Sequence, residues 1–287
     1  MTRLQAWLLA ARPKTLPAVV APVLAGQWLA WNAATDNFSF LLAAMVLFCA
    51  LLLQVAVNLA NDVFDFHHGV DQAGRLGPAR AAQSGWLTSQ QLIAGLRFIL
   101  LLAAVSGLYL VWQGGWWYLL LGGLSLLAAL AYSAGPFPLA SNALGEVTVF
   151  LFFGLLAVAG GYTLHQLTPD WQVWLTAAAF GCLTAAIMLV NNIRDRHSDA
   201  QAGKHTLVIL LGVGASRVLY VVLLALPGIW LCDQSGFGGL VVLLVALLLA
   251  RGIFYRDGAA LNRQLAQSAL FCLLYAAVFV AGQWHTR

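Results

Sequence analysis

Residues 40–65 read FLLAAMVLFCALLLQVAVNLANDVFD, and this stretch decides the fold. Its first part, Phe40 to Leu53, is apolar, and Asn58, Asn61, Asp62 and Asp65 gather toward its end. About 20 apolar residues in helical form cross the hydrocarbon core of a bilayer. Phe40–Asn61 therefore predicts a transmembrane helix whose polar end lies at a membrane surface. Asn58, Asp62 and Asp65 are spaced i, i+4 and i+7, which places them on one face of that helix.

Working outward, further apolar runs lie near Leu16–Ala34, Gln91–Trp112, Trp116–Tyr132, Leu144–Leu164, Trp171–Val190, Ser216–Cys232, Gly239–Phe254 and Gln267–Gln283. The expected fold is all-α: a polytopic membrane protein of nine transmembrane helices, with residues 1–287 forming one integral-membrane domain. Strand-period alternation bounded by turns is absent, which argues against a β-barrel. The first apolar stretch, Leu4–Ala11, is short and is followed by Arg12-Pro13-Lys14, so it is expected to lie at the interface rather than act as a cleaved signal.

Composition agrees. Of 287 residues 62% are hydrophobic and 8% charged, against roughly a quarter charged in a soluble domain. That excludes a disordered chain and a soluble enzyme with an ordinary polar surface. The net charge of +4 is not a nucleic-acid footprint in so apolar a chain, so no nucleic-acid partner is expected. The four cysteines (Cys49, Cys182, Cys232, Cys272) show no metal-ligand spacing and read as buried hydrophobes.

The few charges are informative by position. With nine spans, twelve of the fourteen basic residues fall on the face that holds the N-terminus, and Arg287 alone falls opposite, with Arg97 inside a helix. By the positive-inside rule that face is cytoplasmic. Five of the ten acids sit there too, in two clusters: Asp62, Asp65 and Asp71, then Asp195 and Asp199. Each cluster opens on a polar pair, Asn61-Asp62 and Asn191-Asn192, and the pairs lie 130 residues apart. This predicts two similar halves, with motifs at 58–71 and 191–204 facing one another across a shared cavity.

Asn192, Asp195 and Asp199 also share a helix face, at i, i+3 and i+7. Carboxylates gathered from both motifs repel unless a cation intervenes. Oxygen ligands without cysteine or paired histidine favour Mg²⁺, which takes its remaining ligands from water and phosphate oxygens. Asp62, Asp65, Asp195 and Asp199 are the expected metal and catalytic residues. Asn58, Asn61, Asp71, Asn191 and Asn192 would line the site, and Arg75, Arg80, Arg194 and Lys204 could hold a diphosphate.

The sequence resembles the UbiA superfamily of membrane prenyltransferases, most closely its 1,4-dihydroxy-2-naphthoate polyprenyltransferase branch of menaquinone synthesis. The residues that carry the resemblance are Asn58-Leu-Ala-Asn61-Asp62-Val-Phe-Asp65, Gly69-Val-Asp71 and Gly77-Pro78-Ala-Arg80, with Asn191-Asn192-Ile-Arg194-Asp195-Arg-His-Ser198-Asp199 and Gly203-Lys204-His-Thr206-Leu207 in the second half. The loop Tyr132-Ser-Ala-Gly135-Pro136-Phe-Pro138-Leu139 has no basic residue, where the 4-hydroxybenzoate branch usually has one. Ala79 departs from the bulkier apolar residue common in the naphthoate branch.

The resemblance implies a bundle around a cavity open to lipid, in the bacterial inner membrane. It implies Mg²⁺-dependent transfer of a polyprenyl chain from its diphosphate to dihydroxynaphthoate with loss of CO₂, giving demethylmenaquinone. Another aromatic acceptor, 4-hydroxybenzoate or homogentisate, is the alternative within the family, and a cation-coupled transporter the alternative outside it. Arg12 and Lys14 read as anchors or site residues. Arg97 either snorkels or reaches a buried acid or the acceptor carboxylate, and Glu146 is the one acid outside the motifs expected to be buried. His67, His68, His197 and His205 crowd the motifs as loop residues or bases.

Overall fold

The computed structural model of the chain describes residues 1–67 and 76–285. Asp71, Arg75, His68 and Arg287 lie outside the described residues. Ten helices carry the fold: α1 (Arg3–Ala11), α2 (Pro17–Ala33), α3 (Phe40–His67), α4 (Ser89–Gly114), α5 (Trp117–Ala131), α6 (Gly145–Thr163), α7 (Trp171–Gln201), α8 (Leu207–Ser235), α9 (Phe237–Tyr255) and α10 (Leu261–His285). No strand occurs among the described residues.

Among the described residues seven helices are long and apolar enough to cross a membrane, and an eighth span is made if α1 and α2, bent by 57°, are taken together. The remaining apolar run forms α5, which at 15 residues is shorter than a full span. The lipid-facing surface is apolar, with Trp112, Phe237, Phe40 and Leu248 well exposed. In a bilayer such side chains meet acyl chains rather than water.

α1 turns toward α2 at Arg12, which adopts a left-handed conformation (φ 53°). Its Ala6 and Ala10 are buried in a cluster with Leu59 and Val63 of α3 and Leu92 of α4, while Leu4 and Leu8 are exposed. A second, larger cluster joins α2 and α6 to α7–α10 around Phe180, Tyr220, Tyr275 and Phe279. α7 is the most enclosed span, two-thirds buried.

Two local features depart from simple helices. Residues Phe150–Gly160 of α6 are π-helical, and α8 breaks at Gly212 (φ 78°). α6 crosses α7 where glycines meet: a Cβ on Gly154 would lie 2.4 Å from the Gly181 Cα. The expected end of the sixth apolar run at Val190 is also extended, because α7 continues helically through Asn191–Asp199 to Gln201. A buried hydrogen bond from Asn192 and a partly buried one from Arg194 hold those extra turns.

Candidate active site

A cavity of about 760 Å³ lies among α2–α5 on one side and α6 and α7 on the other. Its walls are apolar, including Val19, Val46, Ala103, Leu126 and Phe152. One end is polar and is lined by both motifs, so the structure brings together residues 130 positions apart in the chain. Asn58, Asn61, Asp65, Arg80, Asn191, Asn192, Arg194, Asp195, Asp199 and Lys204 all reach it.

The first motif divides its residues between two tasks. Asp65 faces the cavity and accepts a bond from Arg80 Nη2 at 2.6 Å. Asn61 accepts a bond from the Ser133 hydroxyl. Asn58 turns toward the N-terminal segment, where its Nδ2 donates to the Ala11 carbonyl (2.9 Å) and to Thr15 Oγ1 (3.1 Å). Asp62, expected in the cavity, is 1% exposed and is absent from its lining. Its carboxylate accepts the backbone N–H groups of Ala81 (2.9 Å) and Ala82 (3.0 Å).

In the second motif Arg194 grips Asp195 with two bonds and extends to Asn191 Oδ1 (2.7 Å) and Asn262 Oδ1 (2.9 Å). Asn192 Nδ2 donates to Glu146 Oε1 at 2.8 Å, which locates the buried glutamate directly behind the cavity wall. Arg97 is exposed on α4 and so does not serve Glu146. His197 lines the cavity; His205 donates its backbone N–H to the Ser141 carbonyl.

Lys204 joins the two motifs. Its Nζ lies 3.2 Å from Asp199 Oδ1 and 3.7 Å from Asp65 Oδ1. Burial alone would lower its pKa, but the carboxylates of Asp65, Asp199 and Asp195 outweigh that and hold it above the ordinary lysine value. Among the described residues no three acids, histidines or cysteines stand close enough to share one ion. The donor set nonetheless fits Mg²⁺, because one carboxylate from each motif already turns to a shared cation. Mg²⁺ uses one or two carboxylates and completes its shell with water and phosphate. Asp65 and Asp199 are the residues that would hold it.

Sequence reasoning missed Ser133, Gln54 and Asn262. Gln54 Nε2 donates to Thr15 Oγ1 (3.3 Å), and Asn262 Nδ2 donates to the Leu76 carbonyl (2.7 Å). Asn262 carries no local signal, being one of three amides in the first two turns of α10. Ser133 lies in a loop notable only for lacking a basic residue.

The profile of the UbiA prenyltransferase family matches residues 19–283. The chain is 37% identical to a 1,4-dihydroxy-2-naphthoate octaprenyltransferase of Escherichia coli (strain K12), covering 99% of this chain and 98% of that one. It is 34% identical to the protein of the same name from Haemophilus influenzae, covering 98% and 96%. In fold it is similar to a UbiA homolog from Aeropyrum pernix K1, with TM-score 0.66 and 17% identity over 93% of this chain and 97% of that one. It is also similar to a UbiA homolog from Archaeoglobus fulgidus bound to DMAPP and Mg²⁺, with TM-score 0.65 and 17% identity over 95% and 98%. At that identity the two structures bear on the fold alone.

Proposed function

The chain belongs to the UbiA prenyltransferase family, and we propose that it transfers a polyprenyl chain from its diphosphate to 1,4-dihydroxy-2-naphthoate. The observation that carries this reading is the meeting of Asp65 and Asp199 at Lys204, at the polar end of an apolar cavity. Such a place suits a ligand with an anionic head and a hydrocarbon tail. The choice of acceptor rests on the relatives' names and on the absence of a basic residue in the loop 132–139.

Arg80, Arg194 and Lys204 offer their positive charge to the diphosphate oxygens, and the apolar walls take the tail. Mg²⁺, when bound, adds Lewis-acid stabilisation of the charge that develops on the leaving group. The allylic C–O bond breaks and its electron pair leaves with the diphosphate. The naphthoate ring carbon supplies the electrons of the new C–C bond, and the ring carboxylate departs as CO₂, returning a pair to the ring. The product is the quinol of demethylmenaquinone. Apolar walls keep water from the allylic cation, which would otherwise be hydrolysed.

The same reading places the two motifs on the cytoplasmic side of a bacterial inner membrane, within a bundle of nine spans made of two similar halves, with lipid around it. Purified protein given Mg²⁺, an all-trans polyprenyl diphosphate and dihydroxynaphthoate should release CO₂ and diphosphate and form the prenylated naphthoquinol. Prenylation of 4-hydroxybenzoate in its place would overturn the acceptor while leaving the family intact.

A further inference from the structure

Asp62 and Asp65 stand three residues apart on α3, yet the structure gives them opposite surroundings. Asp65 faces the cavity, whereas Asp62 is buried with one carboxylate oxygen on each of two successive backbone N–H groups, those of Ala81 and Ala82. A carboxylate so engaged turns its charge toward the backbone rather than the cavity. What it holds is the end of the segment that follows Leu76. That segment is fastened at its other end by Asn262, which donates to the Leu76 carbonyl. Between the two fastenings lies Arg80, 5% exposed, whose guanidinium enters the cavity and meets Asp65.

We propose that Asp62 is a positioning residue: it clamps the backbone at Ala81 and Ala82 so that Arg80 is aimed at the diphosphate, and it does not ligate the metal. The inference rests on the prenyl-transfer reading above for the role of Arg80. Two N–H groups on one carboxylate fix both the distance and the rotation of the segment. Charge-assisted bonds of this kind are roughly twice as strong as neutral ones. An asparagine at position 62 keeps the shape but sets an NH₂ group against one of the two N–H donors.

The test compares wild type, Asp62→Asn, Arg80→Ala, the double variant and Asp65→Asn, all as full-length protein in detergent. Prenyl transfer gives kcat, KM for the diphosphate and the Mg²⁺ concentration at half-maximal rate. Calorimetry with inorganic pyrophosphate and Mg²⁺ gives binding apart from turnover, and trypsin cleavage after Arg80 reports the segment directly. Asp62→Asn should raise KM about tenfold or more and weaken pyrophosphate binding in step, as expected for loss of a charged hydrogen bond. Its Mg²⁺ midpoint should stay within about twofold of wild type, Arg80 should become cleavable, and on the Arg80→Ala background it should add nothing beyond the scatter of a double-mutant cycle.

Three results would overturn the proposal: a Mg²⁺ midpoint displaced as in Asp65→Asn, effects of the two substitutions that multiply, or a fall in melting temperature with KM unchanged. Wild-type protein that binds neither pyrophosphate nor a prenyl diphosphate would instead remove the function proposed above, so the two failures are distinguishable.

Discussion

Arg194 holds the carboxylate of its own neighbour, Asp195, with Nε on Oδ1 at 2.8 Å and Nη2 on Oδ2 at 2.6 Å. Adjacent residues on a helix do not ordinarily face one another. The guanidinium achieves the contact by folding back, while its Nη1 reaches across to Asn262 of α10. Both members of the pair are buried, so removing one leaves the other uncompensated. Arg194→Gln should lower stability by about 3–5 kcal/mol and abolish most turnover. Thermal unfolding in detergent, read beside the transfer rate, checks this.

Lys204 separates two carboxylates that would otherwise repel. Lys204→Met should cut turnover through loss of a cation for the diphosphate. It should also make Mg²⁺ alone raise the melting temperature more than it does for wild type, since the substitution removes the one cation that bridges Asp65 and Asp199 among the described residues. An equal Mg²⁺ shift in both proteins would count against these two acids as the metal's holders.

Glu146 offers one oxygen to Asn192, and its Oε2 is buried without a hydrogen-bond partner among the described residues. Glu146→Gln retains an acceptor for Asn192 and should keep most activity. Glu146→Leu strands the amide and should cost about 1–3 kcal/mol of stability, with a matching loss of transfer rate. Similar behaviour of the two variants would show that the carboxylate itself, rather than an acceptor, is needed.

In the turn between α9 and α10, Asp257 accepts two bonds from Arg196, at 2.7 and 2.8 Å. This guanidinium holds the Asp257 carboxyl down to about 2. A depressed folded-state value means the stabilisation is present above the ordinary carboxylate range, near pH 4, and is lost as pH falls through about 2. Because Asp257 is largely exposed, the pair should contribute less than about 1 kcal/mol. Asp257→Asn should therefore lower the melting temperature slightly at neutral pH and converge with wild type in acid.

The apolar runs made the membrane fold legible, and the paired Asn-Asp motifs made most of the site legible. Charge is so scarce in this chain that five aspartates in two places stood out. Helical spacing could not show which way each acid turns. Asp62 and Asp65 differ by only about 60° around α3, and their separation is decided by the backbone at Ala81 and Ala82, which no local pattern links to either. The partner of Arg194 on α10 is likewise 68 residues away. The π-helical stretch Phe150–Gly160 is uniformly apolar and carries no marker of its backbone form.

The crossing of α6 and α7 at Gly154 and Gly181 has its own outcome for the reaction. The same two helices are joined a second time, nearer the polar end, by Glu146 and Asn192. Two attachment points fix a line, so α7 can neither slide along α6 nor swing from it without breaking one of them. Asp195 and Asp199 are thereby held at fixed places relative to α6 and the cavity it lines. Under the proposed prenyl transfer, a donor of any tail length would bring its headgroup to that place, so the scaffold would act as a depth gauge and leave the tail to find its own course.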